Sequence, residues 1–399
     1  MTTVAEEVRD VEAKHILQVY KRLPAVLVRG SGSRVVDANG QEYLDFLSGI
    51  GVASLGHAHP GLARAIETQA RELLHTSNLF FHPLQGQLAA RLATWSGLPR
   101  AFFCNSGTEA VEACLKFARR YWHTTGYPKR KGIVAFDRSF HGRTFGSLSV
   151  TSGLPYREPF EPLVPNVQFV NPDDPAALQN AVSSSTAAII VEPIQGEGGI
   201  WPISTDMANT IATVCKETGT LLISDEVQCG LGRTGQPFYS AVLGLQPDLM
   251  SLGKAMGAGV PIGAALLSQR VAKTVAPGDH GSTYGGNLLA CRAALVFLDA
   301  MENGLLARVS KAGDRLGNGL RNLAKLHSVI GNIRGTGLMW GIDIKQEVSE
   351  QIVTAALERG LIINRTAGSV VRLLPPLTIT DAEIDEGLTK FEATIKDLA

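Results

Sequence analysis

The sequence predicts an α/β protein with a large domain on a mostly parallel sheet flanked by helices, plus a smaller α+β domain made from both chain ends. Two observations carry that prediction. From about residue 100 the chain repeats apolar strand, loop and helix, with candidate strands AFFCN, GIVAF, VQFV, AAIIVEP, TLLISDE and LMSLG. On either side the pattern changes: strand-like runs and turns open the chain, and long helices mixed with short strands close it. The expected division is 1–48 for the N-terminal arm and part of the small domain, 49–286 for the large domain and 287–399 for the rest of the small domain.

A length of 399 residues suits two domains. Lysines plus arginines equal aspartates plus glutamates, 37 each, so nothing suggests a general nucleic-acid or membrane field. The five cysteines are scattered with no CxxC, which fits free thiols in a reducing compartment better than disulfides or a metal site. No signal-like or membrane-spanning run appears, so the expected location is the cytoplasm.

Residues 1–20 read as a polar, partly helical arm. Between Val26 and Phe46, strands alternate with turns, and Asn39-Gly40 reads as a tight hairpin turn. A helix follows Pro60, with Leu62, Ile66, Ala70 and Leu73 on one face. After Gly286 two long helices are expected, broken at Asn303-Gly304. The last helix begins at a Thr380/Glu383 capping box and buries Ile384, Leu388, Phe391 and Ile395.

The chemistry concentrates at strand ends. Lys254 follows the apolar run Leu249–Leu252 and is bracketed by Gly253, Gly257 and Gly259. Burial favours the neutral amine, a nucleophile toward carbonyl groups. Asp225 ends another apolar strand, where a ligand crevice is expected and where a carboxylate needs a cationic partner. A protonated pyridine nitrogen is such a partner, and aspartate plus a Schiff-base lysine is the set that pyridoxal 5'-phosphate requires. In CNSGTEA, the hydroxyls of Ser106 and Thr108 flank Gly107 at a helix start, which is either an anion site or a plain cap. One loop carries Phe140, His141 and Arg143, a glycine-rich turn after Glu192 carries Glu197, and Ser282 and Thr283 offer further phosphate donors. Gly230-Leu-Gly232-Arg-Thr-Gly235 matches a dinucleotide fingerprint in letters only: no helix follows, and its strand ends too early.

Taken in order, YLDFLSGIGVASLGHAHP, CNSGTEAVEAC, FHGRT, EPIQGEGG, SDEVQCGLGRTG, LGKAMGAGVPIGA, HGSTYGGN and VRLLPP resemble class III aminotransferases. More narrowly, they resemble the ornithine and acetylornithine branch of the fold-type I pyridoxal-phosphate enzymes, from about Tyr20 to the C-terminus. The resemblance implies that Lys254 is the Schiff-base lysine and proton shuttle. It implies Asp225 on the pyridinium nitrogen, Gln228 on the ring hydroxyl, Val227 and Phe140 on the two ring faces, and Gly107 and Thr108 on the phosphate. Thr283 is implied to reach in from a second subunit, making a homodimer. Arg143 is implied to take the donor's α-carboxylate and the distal carboxylate of 2-oxoglutarate or glutamate. Arg372 takes their α-carboxylate, and Glu197 masks it when the donor has no group to offer.

Ile50 stands where ornithine aminotransferases have a tyrosine that grips a free α-amine, so the resemblance favours N2-acetylornithine as donor. 4-Aminobutyrate aminotransferases also carry an isoleucine there, which leaves a plain packing role open. Ser282 and Tyr20 complete the expected substrate-binding set; Tyr20 would close over the substrate. The implied reaction turns N2-acetylornithine and 2-oxoglutarate into N-acetylglutamate 5-semialdehyde and glutamate, in arginine biosynthesis. Succinylornithine, succinyl-diaminopimelate, carrier-bound lysine-pathway, ornithine and 4-aminobutyrate aminotransferases use the same scaffold. A decarboxylase and a non-catalytic binding protein are the remaining alternatives.

Overall fold

The computed structural model describes residues 3–398, apart from the side chains of 346 and 347. Its centre is a seven-stranded sheet. In spatial order the strands are Arg100–Cys104, Gly263–Leu267, Leu249–Leu252, Leu221–Asp225, Thr186–Val191, Gly132–Phe136 and Val167–Val170. Six of them are the candidate strands above. The seventh, Gly263–Leu267, was not expected, and it runs antiparallel to both neighbours.

Burial on both faces explains why the strands lack alternation. Every residue of Thr186–Val191 is buried. Along Gly132–Phe136, Ile133 and Ala135 join the core under the helix Gly107–Thr124, while Val134 and Phe136 join the core under Thr205–Thr218. A strand covered by helices on two sides has no solvent face on which to place polar residues.

The two chain ends meet. Leu27–Ser31, Arg34–Asp37 and Glu42–Asp45 form an antiparallel meander, and Leu361–Ile362 adds to its edge in parallel. A second antiparallel sheet, in the order Ile330–Thr336, Met339–Ile344, Val370–Leu373 and Asn364–Thr366, belongs to the C-terminal part alone. The final helix Asp381–Leu398 starts at the expected capping box: Glu383 accepts from the Thr380 N–H at 2.8 Å, and Thr380 Oγ1 accepts from the Glu383 N–H at 3.2 Å. Helices Leu288–Ala300 and Leu306–Leu326 are interrupted where Asn303 and Gly304 leave helical geometry, as the sequence predicts.

Two local expectations are corrected. The Asn39-Gly40 turn is not a two-residue hairpin. Four residues separate the strands, only Gly40 has positive φ, and Asp37 closes the loop by accepting from the Asn39 and Gln41 N–H groups at 2.9 Å. On the helix Pro60–Glu72, Leu62 is buried and Ile66 partly so, but Ala70 and Leu73 are exposed. The buried position in its last turns is instead Gln69, which donates to the Leu73 carbonyl at 2.9 Å and accepts from Arg292 Nε at 3.2 Å.

Between the meander and this helix, Ser48, Gly49, Ile50 and Gly51 all have positive φ, from 47° to 77°. For Ile50 that conformation is strained, since a β-branched side chain crowds its own carbonyl there. Asp45 Oδ1 holds the entrance by accepting from the Leu47 and Ser48 N–H groups at 2.8 Å, and Ser48 Oγ donates to the Leu374 carbonyl at 2.7 Å.

Among the described residues no helix is long and apolar enough to cross a membrane. The GxGxxG letters lie in turns, and the helix after them, Tyr239–Val242, has four residues. That is not a dinucleotide site.

Candidate active site

Parallel strands deliver their C-terminal ends to one edge of the sheet, and the chemistry gathers there. Asp225 is the last residue of its strand; Glu192 and Lys254 follow theirs by one and two residues. They open onto a cavity of about 240 Å³, also lined by Gly107, Thr108, Phe140, His141, Gly142, Arg143, Glu197, Val227 and Gln228.

Glycines set how closely these parts approach. A Cβ on Gly107 would lie 2.6 Å from Val227 Cγ1, and one on Gly253 would lie 3.0 Å from the Gly107 backbone. The helix start and the lysine loop therefore touch backbone to backbone, and the Val227 side chain packs directly on the Gly107 backbone. Lys254 itself has φ 40°, a left-handed conformation that aims its side chain into the cavity side of the loop. Ser106 caps the helix: its Oγ accepts from the Glu109 N–H at 3.3 Å and donates to the Glu109 carboxylate at 2.9 Å. The box is shifted by one residue, since the backbone N–H bound by the same carboxylate is that of Asn105 rather than that of Ser106. Ser106 thus spends its hydroxyl on the helix and does not line the cavity. The Thr108 hydroxyl also has local partners, the Arg143 N–H at 3.1 Å and Ser147 Oγ at 2.7 Å.

Three carboxylates meet the cavity in three different surroundings. Asp225 is buried and accepts from Ser251 Oγ at 3.0 Å, the Val227 N–H at 3.1 Å and His141 Nδ1 at 2.7 Å. Glu192 is buried too; it accepts from the Phe140 N–H at 2.8 Å and the Gly196 N–H at 3.0 Å. Burial, reinforced by the Asp225 charge, pushes Glu192 up to about 7 against the opposing pull of His141. Glu197 is more exposed and pairs with the guanidinium of Arg372. Burial raises the Glu197 carboxyl, but the charge and hydrogen bond of Arg372, with the Lys254 ammonium, outweigh it and leave it below the usual range.

Lys254 is partly buried at the cavity wall. Burial pulls its ammonium below the usual lysine value, and the Glu197 and Asp225 charges oppose that pull. Arg372 is wholly buried; it donates to Gln228 Oε1 at 3.1 Å and Asn364 Oδ1 at 3.3 Å besides Glu197, and its Nη2 has no partner among the described residues. Arg143 is exposed at the other side, with its guanidinium 4.0 Å from the Tyr156 ring centre.

The structure therefore brings together Gly107, Thr108, Phe140, Arg143, Glu197, Asp225, Val227, Gln228 and Lys254, with Arg372 behind Glu197. Within one chain it does not bring Tyr20, Ile50, Ser282 or Thr283 to the cavity. Tyr20 is 73% exposed on the arm, and Thr283 is exposed. Ser282 Oγ accepts from the Gly285 N–H at 2.9 Å beside Asn105. His141 and Glu192 are the residues whose part sequence reasoning missed. Glu192 carried a signal, a carboxylate at the end of an apolar strand like Asp225; His141 carried only its place beside Phe140.

The donor set fits pyridoxal phosphate. A helix start with unshared N–H groups suits a phosphate. Asp225 is surrounded by neutral or titratable donors, so a cationic ring nitrogen suits it, and an amine faces the same space.

A model of the family described as aminotransferase class-III matches residues 17–395. The chain belongs to the class III aminotransferases. An acetylornithine aminotransferase of Aquifex aeolicus is 45% identical over 94% of this chain and 98% of that one. One from Methanocaldococcus jannaschii is 44% identical over 98% of each. Among solved structures, an ornithine aminotransferase of Toxoplasma gondii with pyridoxal phosphate at its active site superposes with a TM-score of 0.95 at 32% identity, covering 99% of this chain and 95% of that one. An acetylornithine aminotransferase of Elizabethkingia anophelis gives 0.88 at 31% identity, covering 99% and 100%. As a class III aminotransferase the protein is a pyridoxal-phosphate-dependent transaminase of the fold-type I architecture.

Proposed function

We propose that this aminotransferase moves the terminal amine of N2-acetylornithine to 2-oxoglutarate, giving N-acetylglutamate 5-semialdehyde and glutamate. The observation that carries this reading is Arg372, a buried guanidinium covered by the Glu197 carboxylate at the wall of a cavity that holds Lys254. An uncovered buried guanidinium is costly, and a movable carboxylate lets one pocket take a donor without an α-carboxylate at that point and then a dicarboxylate. Such alternation is what a two-substrate amine exchange needs. The acetylornithine aminotransferases at 41–45% identity support the choice of donor.

Gly107 and Thr108 would hold the phosphate, Asp225 the ring nitrogen, Gln228 the ring hydroxyl, and Val227 and Phe140 the ring faces. Bound there, the cofactor supplies a carbonyl for amines and a ring that accepts electrons. The chain's own part is positioning and proton transfer. Lys254 Nζ, whose charged form burial disfavours, would take the proton from the carbon bearing the reacting amine and deliver it across the amine nitrogen to the cofactor's carbonyl carbon. His141 and Ser251 fix the Asp225 carboxylate so that its charge is directed without reorganisation. Arg143 receives the donor's α-carboxylate and the distal carboxylate of 2-oxoglutarate; Arg372 receives the other end of 2-oxoglutarate when Glu197 moves aside.

The site is completed by a second copy, from which Thr283 reaches in. Supporting this are exposed apolar side chains at Leu74, Leu79, Phe80, Phe81 and Tyr284, a patch that water does not favour. We divide the chain at residues 48 and 286, a reading supported by the sheets to which its segments belong. The pathway is arginine biosynthesis in the cytoplasm.

The test mixes the holoenzyme in turn with N2-acetylornithine, ornithine, 4-aminobutyrate and succinyl-diaminopimelate, following the cofactor's visible absorbance in single turnovers. Fastest conversion with N2-acetylornithine supports the reading. Faster conversion with another donor moves the enzyme to a different pathway.

A further inference from the structure

We infer that Tyr156, which neither the motifs nor the cavity chemistry above employs, is the positioning residue of Arg143 and so sets affinity for both carboxylated substrates. This rests on the reading of Arg143 given above.

Arg143 poses a physical problem. It is exposed, on a loop, and no carboxylate among the described residues pairs with it. A long side chain in that setting samples many rotamers, and a substrate carboxylate has to freeze them at a cost in affinity. The structure offers a way to freeze them beforehand. The Arg143 guanidinium lies 4.0 Å from the Tyr156 ring centre and 5.6 Å from that of Phe140. The two rings are edge to face, 6.3 Å apart at 86°. An aromatic face attracts the cation but leaves its N–H edge free for a carboxylate, whereas a carboxylate partner would occupy that edge.

Tyr156 is itself placed for this. It sits on the short helix Leu154–Arg157, and the Gly153 position gives its ring room: a Cβ there would lie 2.9 Å from Tyr156 Cδ2. The ring also lines a second cavity, which shares Phe140 and Glu197 with the first. Tyr156 therefore lines an outer cavity that adjoins the one holding Lys254.

The experiment is a double-mutant cycle on the holoenzyme. Steady-state constants for N2-acetylornithine and 2-oxoglutarate are measured in Tyr156→Leu, Tyr156→Phe, Arg143→Ala and Arg143→Ala/Tyr156→Leu. Melting temperature and cofactor absorbance serve as controls. Tyr156→Leu is expected to raise KM for both substrates by about tenfold with little change in kcat, and Tyr156→Phe to restore it, because the ring face and not the hydroxyl carries the contact. On the Arg143→Ala background, Tyr156→Leu is expected to add nothing. An unchanged KM in Tyr156→Leu beside a raised KM in Arg143→Ala overturns the role of Tyr156 alone. A further rise in the double variant overturns it as well, since the tyrosine would then meet substrate directly. An unchanged KM in Arg143→Ala overturns the arginine's role, and this inference with it.

Discussion

The two arginines beside the cavity show how burial dictates the partner. Arg372 is wholly enclosed on the strand Val370–Leu373, and it is covered by the Glu197 carboxylate, Gln228 and Asn364. Arg143 is exposed on a loop and rests on aromatic rings. A buried charge needs a counter-charge or its desolvation is prohibitive; an exposed one is stable in water and needs only orientation. On the proposed reading, the wall with Arg372 would have to open before it binds a carboxylate, while the wall with Arg143 would be ready in advance.

The largest effect expected is the one that removes the point both walls share. Lys254→Ala is predicted to abolish turnover with every donor while leaving the fold intact, as read by product formation and circular dichroism. Retained activity would contradict the assignment of proton transfer to this amine. Arg372→Ala separates the walls. It is predicted to slow the 2-oxoglutarate half-reaction by roughly 10²–10³-fold, the scale of breaking a buried charged hydrogen-bond pair, and to spare the acetylornithine half. Single-turnover rates for each half measure this, and equal losses in both would erase the contrast between the arginines.

Glu192 ties the walls together, with one oxygen on the Phe140 N–H and the other on the Gly196 N–H. Its folded-state value is raised from 4.5 to about 7, so the native protein binds this proton more tightly than the unfolded chain does. The stabilisation is full below pH 4.5 and is lost as pH rises through 7. Glu192→Gln is predicted to flatten that part of the stability profile, measured as melting temperature against pH; an unchanged slope would show that the proton sits elsewhere. The smallest effect concerns Ile50. Ile50→Asn is predicted to raise stability by roughly 1 kcal/mol, because asparagine tolerates the left-handed conformation better. A denaturant midpoint that fell instead would mean that the isoleucine's packing outweighs its strain.

Much of the sheet was legible in the sequence, because a strand buried on both faces is a short apolar run and its C-terminal end is where ligands gather. That ground put Lys254 and Asp225 at strand ends; their roles came from reading the two together and from the family resemblance. The direction of a strand leaves no such mark: Gly263–Leu267 is as apolar as the parallel strands of the same sheet, and only its pairing shows that it runs the other way. Nor does a single sequence show how deep a side chain lies. Arg372 and Arg143 look alike as letters, and the partner that distinguishes Arg372 is 175 residues away. The face of the helix Pro60–Glu72 misled for a related reason: apolar residues facing outward repeat with the same period as those facing inward. Tyr20 and Thr283 were placed at the site by family resemblance, and one chain by itself does not bring them there.

Arg233 grips a single residue, Leu338, from two directions. Its Nη1 donates to the Leu338 carbonyl at 3.1 Å, and its own carbonyl accepts from the Leu338 N–H at 2.9 Å. The same Nη1 also holds the Pro375 carbonyl at 2.5 Å. The loop that begins at Asp225 is thereby riveted to the sheet that carries Arg372. Any relative motion of the molecule's halves has to leave this joint intact, so amide exchange at Leu338 should keep pace with exchange at the sheet edge rather than with the chain ends.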